Sequence, residues 1–191
     1  MRAGAELQPG MPHGSLSGQA HSGFTKIAGK KNMITGEFFR MSSIEILEAD
    51  LDRREHQQAV VELLDAYARD PMGNGKALSK EVRRELISGL QRHPTTIIFL
   101  AFQDKKGVGI ATCFGGFSTF AARPLINIHD FYVIPELRGQ KIGQMILAAV
   151  EQKARDTDCC KVTLEVQQNN HRAQRIYEAA IRIACFLLNG R

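Results

Sequence analysis

The sequence predicts a mixed α/β layer architecture, and three features carry that prediction. A short apolar segment is followed by two stretches with helical spacing. Three strand-like runs then succeed one another across turn residues. Beyond them an amphipathic helix, another apolar run and a second helical stretch alternate, so the order is β, two helices, a β meander, then β-α-β-α.

In chain order, Ile44, Ile46 and Leu47 mark the first strand. Val60, Leu63, Leu64 and Tyr67 recur at helical spacing, as do Val82, Leu86, Ile87 and Leu90. Between the two helices lies Asp70-Pro71-Met72-Gly73-Asn74-Gly75, a loop because proline and glycine break helical geometry. Thr95–Phe102 reads as a buried strand, Asp104–Gly107 as a hairpin turn and Val108–Phe117 as the partner strand. Leu125–Val133 is the next strand, ended by Pro135. Gly139–Asp156 is a helix whose apolar face runs through Ile142, Met145, Ile146, Ala149 and Val150. Lys161–Val166 is a strand, and Asn170–Ala180 a helix through Ala173, Ile176 and Tyr177.

Residues 1–40 are rich in Gly, Ser, Pro and His without sustained periodicity, and read as a disordered extension. The folded domain is expected over 41–180, followed by an atypical tail, 181–191. Of the 191 residues, 43% are hydrophobic and 24% charged, the balance of an ordinary globular protein. Apolar runs such as Ile97–Phe102 fall far short of the roughly 20 residues that cross a bilayer, so no membrane association is expected. No apolar leader segment points to secretion, and a cytoplasmic setting follows as the expectation. Cys113, Cys159, Cys160 and Cys185 show no paired spacing and no histidine at zinc-ligand distance, which reads as small hydrophobes and no metal. The net charge is +5, of which +3 lies in residues 1–40. The basic balance therefore belongs mostly to the leader, and nucleic acid is not an expected partner.

The chemically informative stretch runs from Asp130 to Gly143. A strand ends at Pro135, a short polar turn follows, and an amphipathic helix begins. Unpaired N–H groups and the positive dipole end make a helix N-terminus an anion site. Gly139 and Gly143 would let a phosphate chain approach the backbone, and Arg138 adds a full charge. On these residues alone, a plain glycine turn into a packed helix stays open. No phosphate-loop pattern competes, and Gly107-Val108-Gly109 sits in a hairpin, the wrong context for a dinucleotide fingerprint.

Val133-x-Pro135-x-x-Arg138-Gly139-x-x-Ile142-Gly143 resembles the acetyl-CoA motif of the GNAT acetyltransferase superfamily, whose core is Arg/Gln-x-x-Gly-x-Gly/Ala. Asn170-x-x-Ala173-x-x-Ile176-Tyr177-Glu178 resembles that family's downstream motif, on the expected helix. The resemblance covers roughly residues 43–180 and is nearest in pattern to the diamine and small-amine branch. It implies a GNAT fold, with a mixed sheet flanked by helices. It also implies an N-acetyltransferase that passes acetyl from acetyl-CoA to a primary amine of a small molecule, by direct attack in a ternary complex.

By that resemblance, the backbone at Tyr132, Val133 and Ile134 pairs with the pantetheine arm, where the strand splays from its neighbour. The Val133 amide polarises the thioester carbonyl. Arg138, Gly139, Gln140, Lys141, Ile142 and Gly143 cradle the pyrophosphate, Asn170 contacts the cofactor, and Tyr177 protonates the departing thiolate. Read alone, Tyr177 is more readily an aromatic on a helix core face than a catalytic acid. The attacking amine must lose a proton, and His129 and Asp130 stand at the end of the central strand, on opposite faces by simple alternation. His129 is either the base or a satisfied buried histidine. Asp130 either orients substrate or makes structural hydrogen bonds. Asp70 and Glu165 rank lower, as solvated carboxylates.

Two departures from the family pattern stand out. Lys141 occupies a position where the pattern has glycine, and its side chain either crowds the phosphates or pairs with them. After Ala180 the match stops: Ile181 stands where a helix-ending glycine is expected, and residues 181–191 are too few for two further strands. Ile181–Leu188 either prolongs the helix or adds one strand with an exposed edge, an ending such as altered splicing produces. Instability, dimerisation or lost activity would follow, so a catalytically impaired acyl-CoA-binding or dimerisation module is the alternative to an enzyme.

Overall fold

Alternation along the strands decides what packs on each side of the sheet. A computed structural model describes residues 43–167 and 184–189, with Val166, Gln167 and 184–189 as backbone alone. Its elements are β1 (Ile44–Glu48), α1 (Arg54–Arg69), α2 (Lys80–Arg92), β2 (Thr96–Gln103), β3 (Lys106–Ser118), β4 (Arg123–Val133), a 3-10 turn at Pro135–Leu137, α3 (Ile142–Asp156), β5 (Val162–Gln167) and β6 (Ala184–Asn189). They form one sheet in the order β1-β2-β3-β4-β5-β6. The first four strands pair antiparallel, and β5 and β6 add in parallel. The mixed α/β architecture read from the sequence is what the chain adopts.

On one face, Phe99, Ala101, Cys113 and Ile126 meet Ile146 and Val150 of α3. On the other, Leu100, Phe102, Ile110 and Tyr132 meet Val60 and Leu63 of α1. Residues such as Leu100, Ile110 and Ile146 have no accessible surface, and each such side chain stabilises the fold by roughly 1.5–3 kcal/mol. The α2 helix packs against α1. Ser79 caps it, its hydroxyl accepting from the Val82 amide at 3.2 Å. Of its four expected apolar positions only Leu90 is fully buried, and Val82 lies in solvent.

One buried carboxylate ties the two N-terminal helices together. Asp65 accepts from Arg69 Nη2 at 2.8 Å and from the Leu78 amide at 2.9 Å, and pairs as an ion with Arg83 at 2.8 Å. Burial alone would raise its pKa, but the hydrogen bonds from Arg69 and Leu78 and the charges of both arginines hold the carboxyl below its ordinary range.

Two details depart from the sequence reading, and a third settles a choice it left open. The helix expected from Gly139 begins at Ile142, because Gly139 (φ 92°) and Lys141 (φ 64°) both adopt left-handed backbone that no α-helix contains. His129 and Asp130 do not obey simple alternation. The β3–β4 register passes from Cys113↔Ile128 to Thr112↔Asp130, which leaves His129 as an extra residue. Before this bulge Ile126 and Ile128 face α3; after it Phe131 and Val133 do, while Tyr132 faces α1. Finally, of the two alternatives for Ile181–Leu188, the structure has the strand: β6 lies parallel to β5, from Val162↔Ala184 to Gln167↔Asn189. The helix expected at Asn170–Ala180, with Asn170 and Tyr177, and the extension at 1–40 lie outside the described residues.

Candidate active site

The site is built where β4 leaves β5. The two strands pair only through Ile126–Ile128 and Val162–Leu164, after which β4 continues to Val133 alongside β3. Ile134 N–H donates to Val108 O at 3.0 Å, and Val133 is the next residue in register, opposite Gly109. Bonded and non-bonded pairs alternate in an antiparallel ladder, so Val133 turns its own N–H and C=O away from β3, toward the side β5 has vacated. A strand-end amide with that orientation is a fixed dipole available to an incoming carbonyl.

Directly after it, the turn from Arg138 to Gly143 gathers donors. Among the described residues, the N–H groups of Gly139, Lys141, Ile142 and Gly143 have no backbone acceptor, and no side chain caps α3. Gly139 takes a backbone angle natural only to glycine. Gly143 lies against the Phe131 ring, where an added Cβ would sit 3.4 Å from Cζ. Together these groups fit the pyrophosphate of a CoA-type molecule through backbone donors and the α3 dipole. The Arg138 side chain is engaged elsewhere: Nη2 donates to Asp70 Oδ2 at 2.6 Å and Nε to Val133 O at 2.9 Å.

The titratable groups near this strand end lie on the α1 side. At the bulge, His129 is exposed (65% of its side chain) and stacks edge-on to Phe114, with ring centroids 5.7 Å apart. Its Nδ1 lies 3.5 Å from Asp130 Oδ2, long for a hydrogen bond but close for a charge interaction. His129 is therefore not the buried histidine that the sequence left open. Burial pushes the Asp130 carboxyl above its ordinary pKa, and His129 partly offsets this. Tyr67 of α1 completes the group. Burial and the charges of Asp130 and Asp70 push its phenol up, so at neutral pH it is a donor. Its ring lies 5.7 Å from that of Tyr132. The helical spacing marked Tyr67 only as a core residue, and nothing in the sequence pairs Asp70 with Arg138. Asp70 is not a solvated carboxylate, since its side chain is 8% exposed.

Residues 58–180 match the model of the acetyltransferase (GNAT) family. The chain belongs to the GNAT acetyltransferase family. Thialysine N-epsilon-acetyltransferase of Bos taurus is 39% identical over 72 residues, covering 38% of this chain and 42% of that protein. An uncharacterized N-acetyltransferase of Archaeoglobus fulgidus is 31% identical over 81 residues, covering 42% of this chain and 55% of the relative. The chain thus spans about half the length of these curated relatives. The fold is also that of solved structures. A probable acetyltransferase superposes with a TM-score of 0.62 at 24% identity, over 71% of this chain and 87% of that one. An aminoglycoside N-acetyltransferase in complex with CoA gives 0.59 at 15%, over 74% and 89%.

The structure supplies a physical reason for the glycine that the GNAT pattern places at position 141. Lys141 sits at φ 64°, ψ 5° immediately before α3. A left-handed angle costs a residue with a Cβ roughly 1–2 kcal/mol, against which glycine loses roughly 0.5–1 kcal/mol in chain entropy. Lys141→Gly is therefore expected to stabilise the fold by about 0.5–1 kcal/mol. For a chain of this length that is a rise in Tm of about 1–4 °C, read by thermal denaturation. A lowered Tm would show that the lysine side chain stabilises the turn by contacts that outweigh its backbone strain.

Proposed function

We propose that the chain is an acetyl-CoA-dependent N-acetyltransferase acting on a primary amine of a small molecule, by direct attack in a ternary complex. The observation that carries this reading is the Val133 amide, turned toward the gap between β4 and β5 beside a turn whose N–H groups have no backbone acceptor among the described residues. Acetyl-CoA supplies the acyl group as a thioester. Gly139, Lys141, Ile142 and Gly143 would hold its pyrophosphate through their amides, with Gln140 lining the turn. Tyr132, Val133 and Ile134 would flank its pantetheine arm. His129 takes the proton of the amine, and Asp130, 3.5 Å away, orients the ring and balances its positive charge. The amine nitrogen bonds to the thioester carbon, the oxyanion meets the Val133 N–H, and the carbon–sulfur bond then breaks. Asn170 contacts the cofactor and Tyr177 protonates the thiolate, as the family motif implies. The likeness to a thialysine acetyltransferase supports a small amine as acceptor. Among the described residues no helix is long and apolar enough to cross a membrane, and a cytoplasmic setting fits the free thiols of Cys113 and Cys159.

A second reading, a GNAT module that holds acyl-CoA or a partner subunit without turnover, is favoured by the strained Lys141 in the phosphate turn. Calorimetric titration with acetyl-CoA, followed by assay of CoA release on a panel of primary amines that includes thialysine, separates the two. Saturable binding with turnover supports the enzyme. Binding by folded protein with no turnover on any amine favours the module, and no binding overturns both cofactor-based readings.

A further inference from the structure

The Arg138 side chain closes a ring of contacts that joins three elements. Asp70 is the residue that ends α1, and its Oδ1 accepts from the Met72 amide at 2.9 Å. Its Oδ2 takes Arg138 Nη2 at 2.6 Å, and Arg138 Nε reaches Val133 O at 2.9 Å. The guanidinium carbon lies 5.4 Å from the centre of the Tyr132 ring, and that ring lies against Tyr67 of α1. Two of the five guanidinium N–H groups are thus committed inside the protein, one to a nearly buried carboxylate.

We propose that Asp70 is a positioning residue for acetyl transfer, acting through Arg138 to fix the strand end at Val133. The proposal rests on the acetyltransferase reading above. Val133 presents its N–H and C=O toward the same side, so whatever binds the C=O sets the aim of the N–H. Arg138 occupies that carbonyl, and its planar fork can do so only while Asp70 holds the other end. Without Asp70 the guanidinium is free to swing toward the phosphates, and the strand end loses its brace.

The two roles open to Arg138 give opposite results. If it is chiefly a phosphate ligand restrained by Asp70, Asp70→Asn frees it and lowers KM for acetyl-CoA. If it is a brace, Asp70→Asn lowers kcat by about tenfold, the scale of one lost charge-assisted hydrogen bond, with KM for acetyl-CoA changed less than about twofold. Asparagine keeps an oxygen for the Met72 amide, so the loop retains that bond. Steady-state kinetics of wild type, Asp70→Asn, Arg138→Gln and the double variant, on the best amine of the panel, make the test. The expected result is that Asp70→Asn has no further effect once Arg138 is glutamine. Should Asp70→Asn not fold, Arg138→Lys serves instead. It keeps the charge toward Asp70 but replaces the planar fork, whose Nε and Nη2 serve Val133 and Asp70 separately, by a single nitrogen, and an equal loss of kcat is expected. Wild type that turns over no amine overturns the acetyltransferase reading itself. Active wild type with kcat unchanged in these variants, or with additive losses, overturns the positioning role alone.

Discussion

Replacing Asp130 with asparagine is expected to slow acetyl transfer by about 10²-fold or more, while raising the melting temperature at neutral pH. Both effects have one origin. Asp130 follows the bulge on the α1 side of the sheet, where burial raises its pKa, and the neighbouring His129 and the Thr112 hydroxyl only partly offset this. A carboxyl that holds its proton more tightly folded than unfolded stabilises the fold fully below its ordinary pKa of 3.8. That contribution is lost as pH rises through the raised folded value, so the ionised form strains the native state near pH 7. Asparagine has the same shape and no charge. Its Tm should therefore exceed that of wild type at pH 7, and the difference should shrink as pH falls and vanish only below 3.8. Thermal melts across that range, beside kcat for both proteins, provide the check. A variant that melts below wild type at pH 7 would mean that the Asp130 charge is paired more strongly than its surroundings indicate. His129→Gln separates the roles, because His129 is largely exposed: a comparable loss of rate is expected with little change in Tm.

Most of the fold was legible because the apolar pattern is strong where the chain is buried on one side. Val60, Leu63 and Leu64 announce α1, and Ile142, Ile146 and Val150 announce α3, since each must return to the same face every third or fourth residue. The bulge at His129 was not legible. Ile126, Ile128, Asp130 and Tyr132 look like one alternating row, and a single inserted residue leaves no mark in composition. The glycines and the place before a helix pointed to the Arg138–Gly143 turn as the proposed phosphate site. The engagement of Arg138 could not be read, since its partner Asp70 is 68 residues distant and only the packed β4 end brings them together. Likewise, the sequence showed that Lys141 departs from the pattern, but only the backbone angle shows why glycine suits that position.

A large loss of stability is expected at Ile146, where Ile146→Ala should cost about 2–5 kcal/mol. Ile146 is wholly buried on the first turns of α3 and packs on the face of the sheet that carries Gly109. The fit is close enough that a Cβ at Gly109 would lie 2.9 Å from Ile146 Cδ1 and 3.3 Å from Tyr132 O. This contact seats α3, and with it the Arg138–Gly143 turn, on β3 beside Val133. Gly109→Ala alone is therefore expected to cost about 1–3 kcal/mol by overpacking, and Ile146→Val alone about 0.5–1.5 kcal/mol for its missing methyl. Combined, they should partly cancel, since valine lacks the carbon that the new alanine meets. A denaturant-unfolding cycle should give a favourable coupling of about 0.5–3 kcal/mol between the two sites. Simple additivity would show that α3 moves off the sheet to accommodate Gly109→Ala. In that event acetyl-CoA affinity should fall in the same variant, because the turn proposed to hold the phosphates moves with the helix.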